Sequence, residues 1–143
     1  MKLTQISIFL ENRKGRLSDV CSLLGKNKIN IRALTIAESE EFGILRIVVD
    51  KPDAAVKALK SGGFVANVTD IVAVEVGDKP GGLAAILKIL SASDINVEYM
   101  YGFVEKKTDK ALLVFRFEDP DKAIAVLKKH KITVVGKKDI GEL

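Results

Sequence analysis

Asn12-Arg13-Lys14-Gly15-Arg16-Leu17, followed by Ile29-Asn30-Ile31, returns later in the chain as Asp78-Lys79-Pro80-Gly81-Gly82-Leu83 and Ile95-Asn96-Val97. The glycines are 81 − 15 = 66 residues apart and the asparagines 96 − 30 = 66. The interval from glycine loop to asparagine is therefore the same in both places. A repeated loop with a repeated polar residue points to two copies of one small-molecule site, which apolar periodicity alone would not indicate. The repeat divides the 143 residues into two domains, 1–69 and 70–143. A unit that small buries only about 60% of the surface its unfolded chain exposes, so each is expected to lean on a neighbour.

Working outward from the first loop, Ile6, Ile8 and Leu10 alternate with Ser7 and Phe9, a strand pattern. After Gly15, the apolar residues Leu17, Val20, Cys21 and Leu24 fall at i, i+3, i+4 and i+7, one face of a helix that Gly25 and Asn27 close. Residues 29–36 and 44–49 are rich in strand formers, with Glu38-Ser39-Glu40-Glu41 turning between them. Pro52 and Asp53 start a second helix with Ala55, Val56 and Leu59 on its inner face, and Gly62-Gly63 end it. Residues 64–68 are a last short strand. The order β-α-β-β-α-β then recurs. Val72, Val74 and Val76 make a strand; Leu83, Ile86, Leu87 and Leu90 a helix stripe; 95–104 and 111–117 paired strands. Asp119 caps a helix with Ala123, Ile124 and Leu127 inward, and 132–135 close the unit. The prolines are offset by 120 − 52 = 68, so the second unit carries two extra residues, placed most simply in the turn at 105–110. The fold class expected is α+β: two tandem βαββαβ ferredoxin-like units, antiparallel sheets with both helices on one face.

On the third strand, Leu45, Ile47 and Val49 can face the helices; in the second unit Leu113, Phe115 and Phe117 do the same. The opposite parity is Ile44, Arg46 and Val48, and Leu112, Val114 and Arg116, joined by Phe9, Ile71 and Ala73. A half-solvated sheet face should be polar, and this one is largely apolar. It is therefore expected to be covered by another sheet, through a homodimer or through the two units folding face to face. Only 68–70 separate the last strand of one unit from the first strand of the next.

Composition is ordinary for a soluble domain: 48% hydrophobic, 29% charged. No apolar run approaches the roughly 18 residues of a membrane span; 83–87 stops at Lys88. Residues 1–5 have no signal-type core, and a single cysteine makes no internal disulfide, which fits the cytoplasm. The net charge of +4 is spread out, with clusters at Lys106, Lys107 and Lys110 and at Lys128, Lys129, Lys131, Lys137 and Lys138. A solvated basic surface accounts for it better than nucleic-acid binding, and the aromatic RNP signature of RNA-binding sheets is missing.

The loop and asparagine pattern resembles the ACT domain, and is similar to the versions in serine-inhibited phosphoglycerate dehydrogenase and in the regulatory subunit of acetohydroxyacid synthase. The pattern there is close to Glu-Asn-x-Pro-Gly-x-Leu, with an Asn-Ile pair opening the second strand. The resemblance covers the whole chain as two tandem copies. Lys14 replaces the usual proline in the first; Asp78 replaces asparagine in the second, where Gly82 follows Gly81. It implies a regulatory protein, not an enzyme, that binds a free amino acid where two domains meet, so that an asparagine of one copy faces the loop of another. No cofactor is expected, and the expected partners are a second copy of the chain, from the apolar sheet face, and a biosynthetic enzyme. The alternative is a regulatory subunit whose ligand sites are vestigial.

Residue chemistry leads to the same ligand. A carboxylate needs donors, and a glycine turn at a helix entrance supplies backbone N–H groups at the favourable dipole end. Gly15 and Gly81 let the backbone approach without a Cβ. Asn12 or Asp78 offers an oxygen to the ammonium; Asn30 and Asn96 offer donor and acceptor. Arg13, Lys14, Arg16, Lys79, Pro80 and Gly82 complete the loops. Leu17, Leu83, Ile31 and Val97 frame the tail or belong to the core. Cys21, on the apolar stripe, reads as core, and His130 as a cation at a helix end. Tyr99 and Tyr101 share a sheet face and read as an interface. No convergent acid, base and nucleophile set is evident, and a single histidine builds neither a triad nor a histidine-rich metal site.

Overall fold

The computed structural model describes residues 1–39, 41–104 and 110–141. Glu40 of the first turn, Lys106 and Lys107 of the basic cluster, and nearly all of the 105–110 insertion lie outside the described residues. The described residues fall into two compact units, Thr4–Thr69, and Met1–Leu3 together with the residues from Asp70 on.

The first unit contains β1 (Leu3–Glu11), α1 (Arg16–Lys26), β2 (Ile31–Glu38), β3 (Phe42–Val49), α2 (Pro52–Ser61) and the start of β4 (Val65–Gly77). The second continues with α3 (Gly82–Ala92), β5 (Val97–Gly102), β6 (Lys110–Phe117), α4 (Pro120–Lys129), β7 (Val134–Val135) and α5 (Lys137–Gly141). Both have the expected order. In the first, β3 lies between β1 and β2, antiparallel to each, and β4 neighbours β1. In the second, β6 lies between β4 and β5, and β7 pairs with the other edge of β4, all antiparallel. What reads as two strands, 64–68 and the one at Val72, is one strand of 13 residues, because Thr69 and Asp70 stay extended. The short α5 has no counterpart in the sequence reading.

Each unit has its own helix-side core. In the first, Ile6, Ile8 and Leu10 of β1 and Leu45, Ile47 and Val49 of β3 pack with Val20 and Leu24 of α1 and Ala55 and Leu59 of α2. In the second, Val72, Val74 and Val76 join Phe115, Phe117, Ile86, Leu90, Ala123 and Leu127, with the Phe115 and Phe117 rings stacked 5.5 Å apart. Each fully buried Leu, Ile or Phe contributes about 1.5–3 kcal/mol of apolar transfer. The first helix is rotated from its expected face. Leu23 packs on the core, Leu17 is 40% exposed, and Cys21 is half-buried and outside the core cluster. The helix-free faces are mixed. Ala33 and Val48 in the first unit, and Ile71, Ala73 and Val114 in the second, are buried, whereas Phe9 and Phe42 stay exposed with rings 5.0 Å apart. No described helix is long and apolar enough to cross a membrane.

The helix entrances explain the loops. Gly15 (φ 91) and Gly81 (φ 82) occupy the N-cap positions of α1 and α3 in the left-handed region, which only glycine adopts without strain. Asp119, by contrast, caps α4 with its carboxylate, accepting from the Lys122 amide at 3.1 Å.

Candidate functional site

Three backbone bonds recur in the two glycine loops. The Arg13 amide donates to the Glu11 carbonyl at 2.8 Å, Arg16 to Arg13 at 3.3 Å, and Asp19 to Gly15 at 2.9 Å. Shifted by 66, the Lys79 amide donates to Gly77 at 2.9 Å, Gly82 to Lys79 at 3.0 Å, and Ala85 to Gly81 at 3.0 Å. One backbone turn thus serves two sets of side chains, and Lys14 substitutes for Pro80 without altering it. A glycine N-cap has no side chain to offer, and neither α1 nor α3 has a side-chain cap. Arg16 and Gly82 spend their amides within the loop, and those of Leu17, Ser18, Leu83 and Ala84 have no acceptor four residues back inside their own helices.

The glycines are needed for their backbone angle. A Cβ built on Gly15 or Gly81 meets nothing within 4 Å. The steric requirement falls on Gly82, whose Cβ would land on the Gly77 carbonyl oxygen.

Around the first loop, the Asn12 amide donates to the Glu41 carbonyl at 2.7 Å and its carboxamide nitrogen to the Ser39 carbonyl at 3.0 Å. Asn12 ties the loop to the β2–β3 turn. Asp78 has no N–H to repeat that second bond. Arg13 pairs with Glu11 at 2.9 Å on the exposed side. Arg16 folds back, pairing with Asp19 at 3.2 Å and lying 4.7 Å over the Phe64 ring, with its Nε buried.

The asparagines stand elsewhere. Asn30 immediately precedes β2, where its amide donates to the Asp50 carboxylate at 2.9 Å and its carbonyl accepts from the Asp50 amide. Glu11 is opposite Phe42, and Ile31 opposite Val49. Loop and asparagine thus sit at opposite ends of the sheet, separated by the length of β3, about 23 Å at strand rise. The second unit repeats this, with Gly77 opposite Lys110 and Val97 opposite Phe117. Both asparagines are followed by a register shift, between Ile31 and Ala33 and between Val97 and Tyr99. Such irregularities bend a strand locally.

Two cavities flank these residues in the second unit. One of about 500 Å³ is lined by Asn96 with Asp94, Glu118, Asp119, Pro120 and Lys122. Its three carboxylates against one lysine suit a cation. The other, of about 290 Å³, lies under the loop and includes Gly77, Lys79 and Gly82. Of the four apolar residues beside loop and asparagine, Ile31, Leu83 and Val97 pack on the cores, and Leu17 alone is largely exposed. Tyr99 and Tyr101 are half-buried on the face opposite Met100, which packs on the second core. His130 ends α4 with its Nδ1 3.0 Å from the Val126 carbonyl. Among the described residues no three or more His, Cys, Asp or Glu are placed together so as to hold a metal ion.

The family model for an ACT domain pair matches residues 1–143. A Bacteroides thetaiotaomicron protein of known crystal structure is 44% identical, with a TM-score of 0.94, covering 100% of this chain and 98% of that one. The ligand-free regulatory subunit of aspartate kinase from Thermus thermophilus shares the fold at 16% identity and a TM-score of 0.64, covering 88% of this chain and 91% of its own. The aspartate kinase of Synechocystis aligns over 95% of this chain but 28% of its own, at 17% identity and a TM-score of 0.60. Among curated proteins none matches the sequence.

Proposed function

The chain belongs to the ACT domain pair family, and on that premise we propose that it is a non-catalytic regulatory protein that senses a free amino acid. Its repeats, 1–69 and 70–143, are the sensing modules. The observation that carries this reading is the pair of uncapped helix entrances, built by one backbone turn used twice. Their first-turn amides suit an α-carboxylate. The acidic cavity beside Asn96 suits an α-ammonium.

Because loop and asparagine stand at opposite ends of each sheet, one ligand joins them only if the asparagine comes from outside the unit that gives the loop. A second copy of the chain supplies it, and we place the protein as a homodimer. Leu34 and Ile36, exposed on the edge strand β2, favour such an assembly. The ligand stabilises whichever arrangement it binds better, by its differential affinity alone, and a biosynthetic enzyme reads the change. The regulatory role of the Thermus thermophilus subunit, which has the same fold, is in keeping with this output.

Thermal denaturation against each of the twenty amino acids at millimolar concentration tests the proposal. A cognate ligand at a hundredfold excess over its Kd adds about 2.7 kcal/mol. If none raises the midpoint, amino-acid sensing is refuted. A strictly monomeric mass by light scattering, with or without ligand, refutes the dimer.

A further inference from the structure

The repeat makes it possible to ask what stands at the same place in each unit. Arg16, Asp19 and Phe64 correspond to Gly82 (82 − 16 = 66), Ala85 (85 − 19 = 66) and Ile132 (132 − 64 = 68). The third correspondence is secured by the backbone. The amides of Gly62, Gly63 and Phe64 donate to Ala58, Lys60 and Leu59, and those of His130, Lys131 and Ile132 donate to Val126, Lys128 and Leu127. Each of these pairs is offset by 68. Gly63 (φ 85) and Lys131 (φ 59) even share the left-handed turn.

In the first unit this place is filled from within. The Arg16 guanidinium covers the Phe64 ring and is neutralised by Asp19. In the second unit the arginine, its carboxylate and the ring are all gone. What remains is the cleft of about 290 Å³ lined by Gly82, Ala85, Ile86 and Ile132 together with Lys79, Lys110, Lys131 and Glu75. Glu75 is 4.0 Å from Lys110, so the lining carries 3 − 1 = +2. That volume is at the small end of small-molecule sites, about 300 Å³ and upward. The lining offers no aromatic ring on which a lysine could lie as Arg16 lies on Phe64.

We propose that this cleft binds a small dianion, one per chain, at the place that Arg16 closes in the first unit. The chemistry required is two negative charges on a compact molecule, met by inorganic phosphate or by a short dicarboxylate. This differs from a zwitterionic amino acid and does not rest on the sensing role proposed above.

Isothermal titration of the full chain at physiological ionic strength, with phosphate and with succinate separately, tests it. Ala85→Asp copies the first unit's carboxylate into the cleft. Ala85 is exposed and near the start of α3, where an acidic residue suits the helix. The double variant Lys79→Gln with Lys131→Asn removes two cations, and asparagine keeps the left-handed turn. The expected result is a single site per chain for at least one dianion, weakened about tenfold or more by either variant. Which of the two binds identifies the source. Absence of binding by both, two equal sites per chain, or unchanged affinity in Ala85→Asp overturns the proposal.

Discussion

The three loop glycines are predicted to fail for two different reasons, and substitution separates them. Gly15 and Gly81 lie at φ 91 and 82 with open space where a Cβ would go. Alanine there bears only the left-handed penalty, about 1–2 kcal/mol. Gly82 is the first residue of α3, where alanine would otherwise gain about 1 kcal/mol in helix propensity. Its Cβ, however, would fall on the Gly77 carbonyl oxygen, with the carbonyl carbon 2.9 Å away. That carbonyl is also the acceptor of the Lys79 amide. Relief requires backbone movement, and overpacking of this kind costs about 1–3 kcal/mol or more. The net loss for Gly82→Ala is then about 1 kcal/mol, of the same order as Gly81→Ala, so magnitude alone does not discriminate. Asparagine does, because it tolerates the left-handed region and keeps its Cβ. Urea denaturation should show Gly15→Asn and Gly81→Asn more stable than their alanine counterparts. Gly82→Asn should be no better than Gly82→Ala. If Gly82→Ala matches the unsubstituted protein, or asparagine recovers nothing at 15 and 81, the division into angle and space is wrong.

Two further outcomes follow from the helix ends. Asp119→Ala removes the cap on the Lys122 amide and should lower unfolding free energy by about 1 kcal/mol, read by the same denaturation. Lys28 follows α1 at φ 58, a left-handed position usually given to glycine. Lys28→Gly should therefore raise the thermal midpoint, by about 1 kcal/mol of relieved strain, since the Lys28 carbonyl that accepts from Lys51 is retained. A lower midpoint would contradict it.

The fold was legible because each element obeys a single period. Leu45, Ile47 and Val49, and Leu113, Phe115 and Phe117, face the helices as alternation demands. The first helix shows the limit. Leu17, Val20, Cys21 and Leu24 fit the helical spacing, but so do Val20, Leu23, Leu24 and Asn27, one step round the same cylinder. Only packing against α2 selects the second face. The polar pair Thr69-Asp70 resembles a linker, yet it lies within the extended strand β4. At the candidate site, motif spacing located loop and asparagine but not their separation, which comes from strand direction. Nor does spacing reveal that Arg16 reaches Phe64, since that contact depends on how α1 and α2 pack.

The midpoint of the chain lies within β4. A nick between Thr69 and Asp70 would fall inside β4, where a protease needs the strand to unravel first. A fragment beginning at Asp70 would also lose Leu3, which is buried, and Lys2, whose ammonium lies 4.0 Å from Asp70 and 3.4 Å from Asp121. The second compact unit therefore includes Met1–Leu3, and cutting the chain before Asp70 would leave those three residues on the other fragment.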